Sequence, residues 1–164
     1  MPIHDLLLII ATLLCGLTTG LVFAFTVVVM PGIRTLPDRE FLNAFKVMDR
    51  IIQNNDPLFL LVWAGSVVVL IAAGFMNFDE LAGTPRLLLI GAVAAYLMGV
   101  QVPTFVVNVP LNNQLQATDL HALDTAKLQQ ARTAFEPRWV FWNAFRTVVG
   151  LLTTILLLAV VYLA

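Results

Sequence analysis

The chain has 164 residues, of which 60% are hydrophobic and only 12% charged, and its mean hydropathy of +0.91 lies far above the range of soluble domains. That composition excludes a water-soluble globule and describes an integral membrane protein. A net charge of -1 with no basic stripe interleaved with aromatics excludes a nucleic-acid partner. The one cysteine, Cys15, sits in an apolar run, which excludes an intrachain disulfide and a C-x-x-C redox pair.

Met1 to Asp5 lacks the basic region of a signal peptide, and the apolar run behind it is too long for one, so it is expected to stay as a membrane anchor. Leu6 to Met30 is apolar apart from Thr12, Thr18, Thr19 and Thr26, and about 20 such residues cross a bilayer, so residues 6–30 are the first expected span. Gly16 to Gly20 forms a small-xxx-small pattern, a device that lets helices approach closely within a chain or across a homodimer. Pro31-Gly32 is expected to end the span.

From Asp38 to Asn55 the apolar residues Phe41, Leu42, Phe45, Met48, Ile51 and Ile52 recur at three and four, with Arg39, Glu40, Lys46, Asp49 and Arg50 between them. This reads as an amphipathic helix on the membrane or against the bundle, with Asp38 as N-cap. Asn54, Asn55 and Asp56 make a polar stop, and Pro57 suits the first turn of a second span over 58–78. A third span follows over 87–107, where Gln101 and Pro103 point to a kink or unwinding. Asn108 to Leu115 then offers three asparagines and a second proline, and such loose polar backbone is tolerated at membrane depth only under cover of protein. Residues 118–134 read as a second surface helix, and 139–163 as the fourth span.

The expected architecture is thus an all-α integral membrane protein: one domain, an antiparallel four-transmembrane-helix bundle with two amphipathic interfacial loop helices. Arg34, Arg39, Lys46, Arg50, Lys127, Arg132 and Arg138 fall in the loops after spans one and three, whereas the opposite side holds only Arg86. The positive-inside rule then puts both termini outside the cytoplasm of a bacterial inner membrane. It also brings Asn108 to Gln114 and Trp139 to Arg146 to the same half of the bundle.

The fourth span carries the chain's most telling stretch. Trp139, Asn143, Arg146 and Gly150 fall on one helical stripe, with Trp142 one turn from Arg146. A guanidinium near the middle of a span costs about 2.5–3.5 kcal/mol on insertion scales, so it faces protein or water, unless it lies shallow enough to snorkel to the headgroups. His4 and His121 lie on opposite sides of the membrane by this topology, and no cluster has metal-ligand spacing. No nucleophile elbow, zinc-protease, phosphate-loop or dinucleotide motif is present. What remains is a site of amides, indoles and one guanidinium, suited to an aromatic or quinone-like molecule arriving from lipid, with Arg146 stabilising an enolate or phenolate oxygen.

The order of elements, the stretch Val107 to Leu115 (VNVPLNNQL) and the W..WN..R stretch from Trp139 to Arg146 resemble the small four-span family that includes fungal and bacterial anthrone oxygenases. The resemblance implies oxidation of a polyketide anthrone, or a related quinol, by dioxygen with no metal or other cofactor. It implies a pocket at Asn108, Pro110, Asn112, Asn113, Trp142, Asn143 and Arg146, with Trp139 beside them. Arg146, Asn143 and His121 are the catalytic candidates, and His121 or Glu136 is offered as the base. The rival reading is a non-catalytic membrane module that binds a lipid, a quinone or a partner protein.

Overall fold

The computed structural model describes residues 2–164; Met1, part of the expected anchor, lies outside them. Five helices carry the fold: α1 (Ile3–Ile33), α2 (Asp38–Gln53), α3 (Pro57–Met76), α4 (Gly83–Ala117) and α5 (Thr125–Leu163). All but α2 are long and apolar enough to cross a membrane, and the described residues contain no strand. α1 packs against α3 and α5, and α4 packs against α5, which closes a four-helix bundle. Leu13, Leu61, Val68, Met98, Val148 and Ile155 point outward and are exposed, as lipid-facing residues of a bundle must be.

Close approach of the helices depends on a few glycines. A Cβ on Gly150 would stand 2.6 Å from Oγ1 of Thr19 on α1, and one on Gly99 would stand 2.6 Å from Cγ1 of Val149. Gly16 faces Thr154 of α5, 3.8 Å from its virtual Cβ, so this end of the small-residue pattern packs within the chain.

Three of the helices' prolines each follow a wide, π-helical turn. Pro31 follows Phe25–Val29, Pro103 follows Ala95–Gln101, and Pro110 follows Thr104–Asn108. A proline lacks the N–H that closes the α ladder and its ring clashes with the carbonyl four residues back; a widened turn relieves both. The irregularity expected near Gln101 and Pro103 thus takes the form of widening. α1 stops at Ile33, one residue past Pro31-Gly32, close to its expected end, whereas Asn108 to Leu115 is not loose backbone, because Val109–Ala117 continues α4 as regular helix.

The fourth span differs from expectation in the same way. The separate surface helix over 118–134 is replaced by a 3-10 turn at Leu120–Ala122 and by α5, which runs unbroken through Pro137. Asp124 caps its start by accepting from Lys127 N at 2.9 Å. Thr133, whose carbonyl Pro137 leaves without its usual donor, is exposed, so the defect sits on the outside.

α2 lies against the bundle. Its buried face, Phe41, Leu42, Phe45 and Asp49, meets the end of α4 and the start of α5. Arg39 donates to the carbonyls of Leu120 and Leu123, and Lys46 Nζ donates to Thr118 O at 2.6 Å. The expected N-cap is displaced by one residue: Pro37 holds that place, and Asp38 pairs with Arg132 at 3.1 Å. At the other end Asn55 takes a left-handed φ of 57°, which asparagine tolerates well, and Asp56 caps α3 by accepting from Phe59 N.

Candidate functional site

A cavity of about 310 Å³ opens between the helices at the α2 end of the bundle. Its walls are mostly apolar. Val22 and Phe25 come from α1, Phe45 from α2, Phe59 and Trp63 from α3, Val100 and Phe105 from α4, and Trp139 from α5. The widened turns of α4 supply Val100, Thr104, Phe105 and Asn108, so the prolines that cause the widening also shape this wall.

Arg146 lies on this wall and is only 6% exposed, so it does not snorkel to the headgroups. Its Nη1 donates to Thr104 Oγ1 and its Nη2 to Asn143 Oδ1, both at 2.8 Å, while Nε has no partner. None of the ion pairs among the described residues includes Arg146. The guanidinium is therefore held by neutral oxygens alone. Asn143 is the hub of this arrangement, because its Nδ2 also donates to Val22 O at 2.9 Å and to Thr26 Oγ1 at 2.8 Å.

A second polar chain closes the α2 side. Trp139 Nε1 donates to Asn112 Oδ1 at 2.8 Å, and Asn112 Nδ2 donates to Asp49 Oδ1 at 2.8 Å. Gln116 and Gln53 donate to Asp49 Oδ2 at 2.8 and 3.3 Å. Between the two polar groups, Asn108 Nδ2 reaches Trp139 O at 3.3 Å and leaves its buried Oδ1 free.

Of the residues singled out from the sequence, Asn108, Asn112, Trp139, Asn143 and Arg146 line the cavity together. Pro110 and Asn113 are exposed on the outer side of α4, where Asn113 Oδ1 accepts from Gln53 at 3.0 Å. Trp142 packs edge-on against Phe141 and Phe145, away from the cavity. His121 is exposed in the 3-10 turn with its backbone N–H on Asp119, so the structure does not bring it to the site.

Glu136 is also elsewhere. It accepts from Arg34 Nε at 2.6 Å and Arg132 Nε at 2.7 Å, tying the α1–α2 loop to α5 on the charged stretch ahead of the apolar part of that helix. Burial acts to raise its pKa, but hydrogen bonds from the two guanidinium groups outweigh burial and hold the carboxyl below the usual range. A carboxylate so engaged is a clamp. Asp49 is the residue that sequence reasoning misses, because periodicity counts it among the polar positions of the amphipathic helix. The available signal is its position four residues after Phe45 and eight after Phe41, on the buried stripe.

The sequence model of a family described as anthrone oxygenase matches residues 52–156, well over half of the chain. The chain belongs to the anthrone oxygenase family. The match takes in every cavity residue of α3, α4 and α5, and it begins after Asp49. No curated protein matches the chain, and no solved structure does. Membership of the anthrone oxygenase family agrees with the polar and aromatic stretches that suggested it. No group of three or more His, Cys, Asp or Glu able to hold a metal ion occurs among the described residues.

Proposed function

We propose that this member of the anthrone oxygenase family is a membrane-embedded oxygenase of a hydrophobic phenolic aromatic, either a polyketide anthrone or a quinol. The observation that carries the reading is a buried guanidinium with no carboxylate partner, facing an aromatic-walled cavity. Such a cation stabilises negative charge that develops on a ligand oxygen, and low surrounding polarity strengthens the effect. About 300 Å³ is the lower end of the range for small-molecule sites, which suits one rigid planar molecule. Trp63, Trp139 and Phe59 offer flat faces to it.

In this reading Arg146 holds the phenolate or enolate oxygen, Asn143 and Thr104 orient Arg146, and Asn108 Oδ1 accepts from a ligand hydroxyl. An electron-rich carbanion reacts with dioxygen directly, so the protein's tasks are to bind, to ionise and to exclude water. Leu17, Leu21 and Phe105 are exposed residues on the cavity's rim, which supports entry from the lipid. The clustering of basic residues in the loops after α1 and α4 supports both termini lying outside the cytoplasm of a bacterial inner membrane.

Oxygen uptake and quinone formation by the purified chain in nanodiscs, with anthrone or a hydroquinone, test the proposal. Uptake by the wild type and a loss of about 100-fold in Arg146→Ala are expected. Equal rates would remove Arg146 from the mechanism. A wild type that retains a quinone or lipid without turnover would instead favour a binding module.

A further inference from the structure

We propose that Asp49 is the catalytic base of this cavity. The inference rests on the oxygenase reading and deepens it, by assigning the proton transfer that precedes reaction with dioxygen.

Asp49 and Arg146 are the two ionisable side chains on the cavity wall, and Asp49 is its one carboxylate among the described residues. At 3% exposure Asp49 is as buried as the bundle core, yet none of the ion pairs includes it. Lys46, one turn away, spends its ammonium on Thr118 O. A carboxylate kept only to hold α2 in place would be expected to pair with a cation, because an uncompensated buried charge is costly. Here it is held by three neutral amides, from Asn112, Gln116 and Gln53. An ionised carboxylate offers about four acceptor positions, so one stays open for a substrate C–H or O–H.

The same amides fix the carboxylate's orientation. Asn112 links it to the Trp139 indole, which is itself part of the cavity wall. Asp49 and Arg146 do not pair with each other, so a planar ligand between them meets a base on one side and a cation on the other. That is the polarity a deprotonation needs: the proton leaves carbon toward Asp49, and the electron pair it leaves is delocalised onto the oxygen at Arg146.

The chemistry balances, since one methylene group and one dioxygen molecule give one ketone carbonyl and one water. Asp49 takes one proton from the methylene carbon. The carbanion gives a C–O bond to dioxygen, and the proton passes to the distal peroxide oxygen. Removal of the second C–H proton by Asp49 forms the C=O bond and breaks the O–O bond, and the departing hydroxide recovers that proton as water. Dioxygen is the oxidant, and the methylene carbon is the group oxidised.

Deprotonation needs no oxygen, which separates this proposal from the reading beneath it. The full chain in nanodiscs, anaerobic, in heavy water with anthrone, is followed by the loss of the methylene proton signal. Wild type should exchange above the protein-free rate, and Asp49→Asn should fall by at least about 100-fold. Quenching of Trp63 and Trp139 by anthrone shows whether the variant still holds the ligand. If the Asn variant does not hold it, Asp49→Ser replaces it, judged by the same quenching, with exchange again expected to fall by at least about 100-fold. Wild-type exchange rates in a carboxyl-free variant that holds the ligand would overturn the base role while leaving oxygenation by the wild type intact. A wild type that neither exchanges nor takes up oxygen would overturn the oxygenase reading itself.

Discussion

Replacing Asn143 by leucine tests how the buried guanidinium is held. The change removes the acceptor at 2.8 Å from Arg146 Nη2, and the donors to Val22 O and Thr26 Oγ1 at 2.9 and 2.8 Å. A hydrogen bond to a charged group contributes about 1.5–3 kcal/mol and a neutral one about 0.5–1.5, so losing one of the first kind and two of the second in Asn143→Leu should cost about 2.5–6 kcal/mol. Arg146→Met should cost no more than that. It loses two charge-assisted bonds and orphans Asn143 Oδ1, but it also relieves the roughly 2.5–3.5 kcal/mol needed to place a guanidinium mid-span. In the double variant no unpaired charge remains, so it should be less destabilised than the sum of the singles by about 1.5–3 kcal/mol. Coupling of that size would stand clear of the ~0.6 kcal/mol average measured for interhelical pairs in a membrane protein. The assay is denaturation by SDS in mixed micelles, followed by tryptophan fluorescence. Additivity within about 0.5 kcal/mol would refute the claim that Asn143 and Arg146 form one unit.

Further outcomes follow from the same geometry. Gly150→Ala places a methyl 2.6 Å from Thr19 Oγ1, so α1 and α5 must part, at a cost of about 1–3 kcal/mol in the same assay. His121→Ala should leave oxygen uptake within about twofold of wild type, since a surface substitution away from the site changes little; a hundredfold loss would return His121 to the site. Glu136 has its folded pKa depressed, so the stability it contributes is present above the unfolded carboxylate value of about 4.3 and is lost as pH falls through the lower folded value. Melting curves from pH 6 down to about pH 3 should therefore show a steeper loss for wild type than for Glu136→Gln, and parallel curves would contradict it. Pro103→Ala restores a backbone N–H next to the widened turns of α4 and should let them tighten, moving Thr104 away from Arg146. Oxygen uptake should fall with the helix content of the circular dichroism spectrum unchanged.

Much of this architecture was legible in the residues taken alone. Four runs such as Leu6 to Met30, each long enough to cross a bilayer, follow from hydropathy, a sum over neighbours in sequence. The stripe Trp139, Asn143, Arg146, Gly150 follows from the helical repeat, and all four are buried. Proline was the less readable signal. Residues 118–134 and 139–163 read as two separate helices, yet α5 runs unbroken through Pro137 between them, because an outward-facing turn absorbs the defect.

The carboxylate at the cavity was settled at another level. Periodicity places Asp49 among the charged positions of an amphipathic helix, and its partners Asn112 and Gln116 lie 63 and 67 residues away. Which amide meets which carboxylate depends on how far α2 swings over the ends of α4 and α5, and contacts spread along the whole chain fix that angle. Sequence alone determined that the chain lives in lipid and carries one misplaced cation, because burial in a bilayer is set by local polarity. Only the tertiary structure decided that an acidic side chain stands on the same cavity wall, because that requires side chains from distant helices to converge in space.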